Sequence, residues 1–152
     1  MQPDLHTTVF WERLAPQLTI NEYTQSTRPI APSREVLREL SCSMDKDSYF
    51  QLSPLFATSE IDAIRNGVFA LIDKGLPPVF IYIYDQPWAL FDKLHPVIQL
   101  FLGNTFSLLP NLWAWYIPPT KGALGWPAHT DCSAVMRFES IDGGTTLMSM
   151  SL

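Results

Sequence analysis

His129 and Asp131 stand one residue apart in the run GWPAHTDCS, residues 125–133, of a chain that has only three histidines. In extended backbone, residues i and i+2 project to one face, so this imidazole and this carboxylate aim at one point. Thr130 and Cys132 point the other way. A neutral imidazole and a carboxylate are two of the three ligands of the facial triad that holds non-haem Fe(II), leaving positions open for a co-substrate and oxygen. The spacing alone also fits a plainer arrangement, in which the Asp caps a backbone N–H in a turn beside a partly buried His.

The elements that must position this pair divide the chain by texture. Residues 1–33 are polar and proline-containing and read as a loosely ordered lead-in, with a short helix around Phe10–Leu14. Residues 34–152 form the main domain. Val36, Leu37 and Leu40 predict a short helix over Arg34–Ser41, and DSYFQLSPLF (47–56) predicts a short strand closed by Pro54. Ser59 is a natural N-cap, with Glu60 and Asp62 in the favourable first turn. Ile61, Ile64, Val68, Leu71 and Ile72 then make one helical face, and Gly75 is a stop. PPVFIYIYD (77–85) reads as a strand. Trp88, Phe91, Leu94, Val97, Ile98 and Phe101 return to helical spacing, with Pro96 expected to break or restart that helix and Gly103 to end it.

Strand patterns dominate thereafter. LWAWYIP (112–118) alternates, placing Trp113, Trp115 and Ile117 on one face and Ala114 and Tyr116 on the other. A Pro- and Gly-rich loop leads to the His-Thr-Asp segment. SAVMRFES (133–140) and TTLMSMSL (145–152) are further strand candidates around an IDGG turn. Helices first and an antiparallel sheet second is an α+β order. The count of roughly five strand candidates falls short of the about eight in a full jelly roll.

The run LWAWYIPPTKGALGWPAHTD resembles the corresponding stretch of the phytanoyl-CoA dioxygenase-like family of Fe(II)/2-oxoglutarate-dependent oxygenases. There an aromatic strand passes through a Gly-rich loop into a Trp-Pro-x-His-x-Asp segment. SYFQLSPLFATSEIDAIRNGV (48–68) is similar to the family's upstream strand and helix start, so the resemblance covers roughly residues 45–152. It implies a double-stranded β-helix, or jelly roll, with helices packed outside. It also implies hydroxylation of a small organic substrate coupled to decarboxylation of 2-oxoglutarate, with His129 and Asp131 as the first two Fe(II) ligands. In the family a second His follows downstream, then an Arg for the distal carboxylate of 2-oxoglutarate. No residue after Asp131 is His, and the Arg that follows, Arg137, comes too early for that role. Thr130 also stands where the family often has Arg. The expectation is therefore an N-terminal, truncated part of such an oxygenase, inactive by itself.

Composition narrows the classes further. The chain has 152 residues, 47% hydrophobic, with a formal net charge of −5 and no basic run, which excludes a nucleic-acid surface. Cys42 and Cys132 are far apart and build no disulfide framework. MQPDLHTTVF lacks the basic start of a secretory signal, and no apolar run reaches the roughly 18 residues of a membrane span. A soluble, cytoplasmic protein without membrane contact is expected.

Other residues are weaker candidates. Trp113 and Trp115 fit pocket lining or, preferably, barrel core, and Trp126 the mouth of a pocket. Lys121 reads as a solvated loop lysine, Cys132 as a small buried apolar residue and His95 as structural. Two functions compete: the oxygenase, and a non-catalytic remnant that binds metal or a partner weakly. An unfinished sheet edge would in either case favour self-association.

Overall fold

The computed structural model describes residues 4–22, 32–108 and 112–125. Four α-helices and one 3-10 helix make up its regular structure: α1 (Thr8–Leu14), α2 (Arg34–Asp47), α3 (Thr58–Asp73), the 3-10 helix Pro78–Ile83, and α4 (Asp85–Leu102). No strand occurs among the described residues, so the expected α+β fold with a partial jelly roll is corrected to a helical assembly.

The amphipathic periods hold where they were strongest. In α3, Leu71 is fully buried and Ile64 and Val68 pack beside it, on the face their spacing predicts. Its N-cap is Ala57 rather than Ser59, and the Glu60 carboxylate accepts the Ala57 N–H at 3.0 Å. Glu60 thus satisfies the N-cap's own N–H, the reach-back half of a capping box. The stop at Gly75 also holds, with φ at +70° just past the helix end. Helix α2 overruns its expected end at Ser41 and reaches Asp47. Met44 carries the Leu37 and Leu40 stripe one turn further, and Ser48 closes the helix in the left-handed region at φ 62°.

Two elements depart from expectation in an instructive way. Within the expected strand 77–85, Pro78–Ile83 turn as a 3-10 helix instead of extending. Pro78 opens it at no loss, because the first helical N–H is unpaired anyway. The turn faces Ile81 inward, 3% exposed, and Tyr84, the extended residue that caps it, is 0% exposed. Helix α4, in turn, runs unbroken through Pro96. An interior proline costs a helix about 3 kcal/mol. Here it lies between the buried Leu90 and Leu94 before it and Val97 and Ile98 after it, whose packing holds both halves in line. Residues 49–56 and 112–118 are irregular. Alternating apolar residues mark a strand only where a partner strand takes up the backbone groups, and α3 and α4 occupy the core in this part of the chain. The candidates 133–140 and 145–152 lie outside the described residues.

The core gathers on α3. Trp11, Ala15 and Leu18 from the first segment meet Leu71, Ile81 and Tyr84. Part of the lead-in is therefore core: a seven-residue helix is marginal alone, and α1 is held by this contact. The Tyr84 hydroxyl donates to the Trp11 carbonyl at 2.8 Å, so the one polar atom of a fully buried ring is satisfied. Helix α4 packs on α3 and on α2, which contributes Leu40. A Lys93–Glu60 ion pair ties α4 to the start of α3.

Candidate functional site

His129, Asp131 and Trp126 lie outside the described residues, so the geometry on hand is that of the segment leading to them. Gly103 ends α4 with φ at +77°, and its N–H donates to the Gln99 carbonyl at 2.9 Å. Phe106 then rests against the His95 ring at 5.0 Å, which keeps the start of the segment on α4. His95 is itself exposed.

Residues 112–117 run past α3 and the 3-10 helix. The Tyr82 hydroxyl donates to the Trp113 carbonyl at 3.1 Å, Tyr116 meets Phe69 edge-on, and Ala114 packs on the core cluster. Burial pushes the Tyr82 phenol above its ordinary value, so it remains a donor through the neutral range. Trp113 and Trp115 face outward, 62% and 54% exposed, with their rings tilted against each other at 6.4 Å. Barrel core, the preferred expectation for this pair, is therefore corrected to surface.

The loop expected after Pro118 is present as far as Gly125. Thr120 N–H donates to the Pro118 carbonyl at 2.7 Å and Ala123 N–H to the Thr120 carbonyl at 3.0 Å, with Gly122 at φ +86°. A side chain there would be strained, which is why glycine follows Lys121. Lys121 is exposed, as a solvated loop lysine should be. Gly125 has a different reason: a Cβ would come within 2.6 Å of the Ile117 Cδ1. The turn thus folds the chain back on Ile117 immediately before the Trp-Pro-Ala-His-Thr-Asp segment.

By type, the donor set of His129 and Asp131 suits Fe(II), but it amounts to two ligands of three. Among the described residues no group of three or more His, Cys, Asp or Glu side chains gathers to hold a metal. His6 and His95 are both exposed and lie on separate elements.

Sequence reasoning missed a polar cluster at the start of α4. Asp85 Oδ2 accepts from the Thr19 hydroxyl at 2.8 Å and from Glu22 N–H at 3.0 Å, while Asp85 Oδ1 accepts from Asn21 N–H at 3.1 Å. Thr19 N–H donates to Gln86 Oε1, and Gln86 Nε2 donates to the Thr19 hydroxyl. Asp85 N–H completes the set by donating to the Thr19 carbonyl at 2.9 Å. Every partner of Asp85 is more than 60 residues away in sequence, so no local pattern announces the cluster.

Compared with known proteins, the chain matches no protein family, no curated protein and no solved structure.

Proposed function

We propose that the chain supplies His129 and Asp131 as an Fe(II)-binding pair in an oxygenase of the Fe(II)/2-oxoglutarate type, acting on a small organic substrate. The observation that carries this reading is the His-x-Asp spacing directly after the aromatic run and the Trp-Pro step. Function resides in the site rather than in the fold, so the reading stands on this donor pair and not on a sheet. Bound Fe(II) with 2-oxoglutarate would supply the oxidising power. The chain's own part is to bind: the imidazole and the carboxylate hold the metal.

Two ligands bind a metal more weakly than three, and ligating His and Asp side chains also depend on positioned neighbours. Residues 1–152 alone are accordingly expected to bind Fe(II) weakly and to form no succinate from 2-oxoglutarate. Anaerobic Fe(II) titration of the chain and of His129→Ala tests the pair, and equal heats for the two would reject it. Succinate formation with Fe(II) and ascorbate tests the second part, and turnover lost on His129→Ala would show that two ligands suffice.

A second reading, a non-catalytic module that binds metal or a partner weakly, draws support from the outward Trp113, Trp115, Ile117 and Leu124 side chains. Several exposed apolar side chains on one short segment are what an interaction site offers. Metal binding that is unchanged in His129→Ala, together with no turnover in any form of the chain, favours this reading over the first.

A further inference from the structure

Asn66 and Gly67 stand together in the interior of α3, and packing explains only the second of them. Gly67 is buried. A Cβ there would lie 2.6 Å from the Leu18 Cδ1 and 2.8 Å from the Ile81 Cδ1, so no side chain fits where the first segment and the 3-10 helix close on α3. Asn66, its neighbour, is exposed to water. A side-chain amide thus stands one peptide bond before a residue that has no side chain to shield its backbone nitrogen.

This pair carries its own chemistry in an open chain. The Gly67 nitrogen gives up its proton and attacks the Asn66 Cγ. A C–N bond closes a cyclic succinimide, the Cγ–Nδ2 bond breaks, and ammonia leaves with the proton. Water then opens the ring at either carbonyl, giving an aspartyl residue or an isoaspartyl residue whose main chain runs through Cγ. Helix α3 withholds the geometry for the first step. Helical ψ, about −42°, keeps the nitrogen away from Cγ. In a regular helix that N–H is also engaged with the carbonyl four residues earlier.

We propose that Asn66 is a site of self-modification, silent while α3 is folded and reactive when α3 opens, which leaves a one-way record of the opening. A glycine inside a helix weakens it, and native proteins open locally at a rate set by such weak points. The isoaspartyl product lengthens the main chain immediately before Gly67. The notch then moves out of register with Leu18 and Ile81, and the cluster of Trp11, Ala15, Leu18 and Leu71 cannot close as before.

The full-length chain is held at mildly alkaline pH, folded and in urea, and its peptides are mapped by mass for deamidation at Asn66. Conversion is expected to be at least about tenfold faster in urea, since the folded rate follows the fraction of time that α3 is open. Equal rates in the two states, or no conversion in either, overturn the proposal. Trp11→Ala, which loosens the core on α3, should raise the rate without urea, and should match the urea rate if the variant does not fold. A rate unchanged from that of the unaltered folded chain overturns gating by α3. Refolding reads the consequence. The isoaspartyl fraction should fail to recover the hydrogen-exchange protection of α1 and α3, which briefly treated, unconverted chain recovers. Asn66→Asp brings the new charge without the longer main chain and should refold fully. An isoaspartyl chain that refolds fully, or Asn66→Asp that refolds as poorly, overturns the one-way record.

Discussion

Two tryptophan-bearing regions of this molecule are treated in opposite ways. Trp11 sits at 5% exposure, its Nε1 donating to the Leu5 carbonyl at 3.1 Å and its ring meeting Phe10 and Phe80 edge-on. Trp113 and Trp115 stand outward on an irregular run, more than half exposed. From sequence the ranking is reversed: the alternating LWAWYIP run looks like core, and the polar first segment looks like a lead-in. The difference lies in what each region can be packed against. A short helix bearing Trp11 docks on a surface that α3 and the 3-10 helix already make. An alternating run needs a second strand to take its backbone groups, and no strand occurs among the described residues.

The largest test of this contrast is Trp11→Ala. It removes a buried aromatic from the centre of the cluster and leaves a cavity beside Leu71, Ile81 and Tyr84. A loss of about 3–5 kcal/mol is expected, read as a lower denaturant midpoint at unchanged slope. A loss below about 1 kcal/mol would mean that the first segment only lies against the core without contributing to it.

Much of the helical frame is legible in the sequence because a single apolar stripe settles it. Ile64, Val68 and Leu71 specify the buried side of α3, and Leu94, Val97 and Ile98 that of α4, whereas the buried Leu90 lies outside the stripe read from sequence. Residues 77–85 are not legible in this way. Valine, isoleucine, phenylalanine and tyrosine suit a strand by composition, and the same residues suit a buried 3-10 turn when Pro78 starts it. Pro96 misleads for a related reason, since local chemistry states the cost of a proline but not the packing that offsets it. The Asp85 fastening is hidden altogether, because its partners come from the other end of the described chain. At the candidate site the ligand types of His129 and Asp131 are legible, whereas the surface position of Trp113 and Trp115 depended on a sheet the described residues do not contain.

The next test is the Tyr84 hydroxyl, where the first segment meets the rest of the core. Burial pushes its phenol up to about 12, from an ordinary value of 10.0. The folded state therefore keeps this proton where the unfolded chain loses it. The resulting stability is fully present below pH 10 and is lost as pH rises from 10 towards 12. Tyr84→Phe should cost about 1 kcal/mol at neutral pH, because the Trp11 carbonyl keeps the Ala15 N–H at 3.1 Å as a second donor. It should also flatten most of the alkaline loss, the remainder coming from Tyr82, whose phenol burial also raises. Chemical denaturation of both proteins between pH 9 and roughly 11.5 reads the effect. Parallel alkaline curves would show that the Tyr84 contact with Trp11 does not govern this limb.

The smallest expected effect completes the contrast. Trp115→Ser trims a side chain of the same type as Trp11, so any difference between the two substitutions comes from setting alone. Trp115 is 54% exposed, and its ring lies 6.4 Å from that of Trp113. A tilted pair of exposed rings gives up little when one is removed, because much of their surface is already in water. The segment is also attached through the Tyr82 bond to the Trp113 carbonyl, the Tyr116 contact with Phe69, and Ala114 on the core. Trp115→Ser leaves all three in place. The denaturant midpoint should therefore stay within about 0.5 kcal/mol of the unaltered chain, against the several kcal/mol expected for Trp11→Ala. Solubility should rise, since the substitution removes part of an exposed apolar surface. A destabilisation above about 1 kcal/mol would place Trp115 in the packed interior and erase the difference between the two regions.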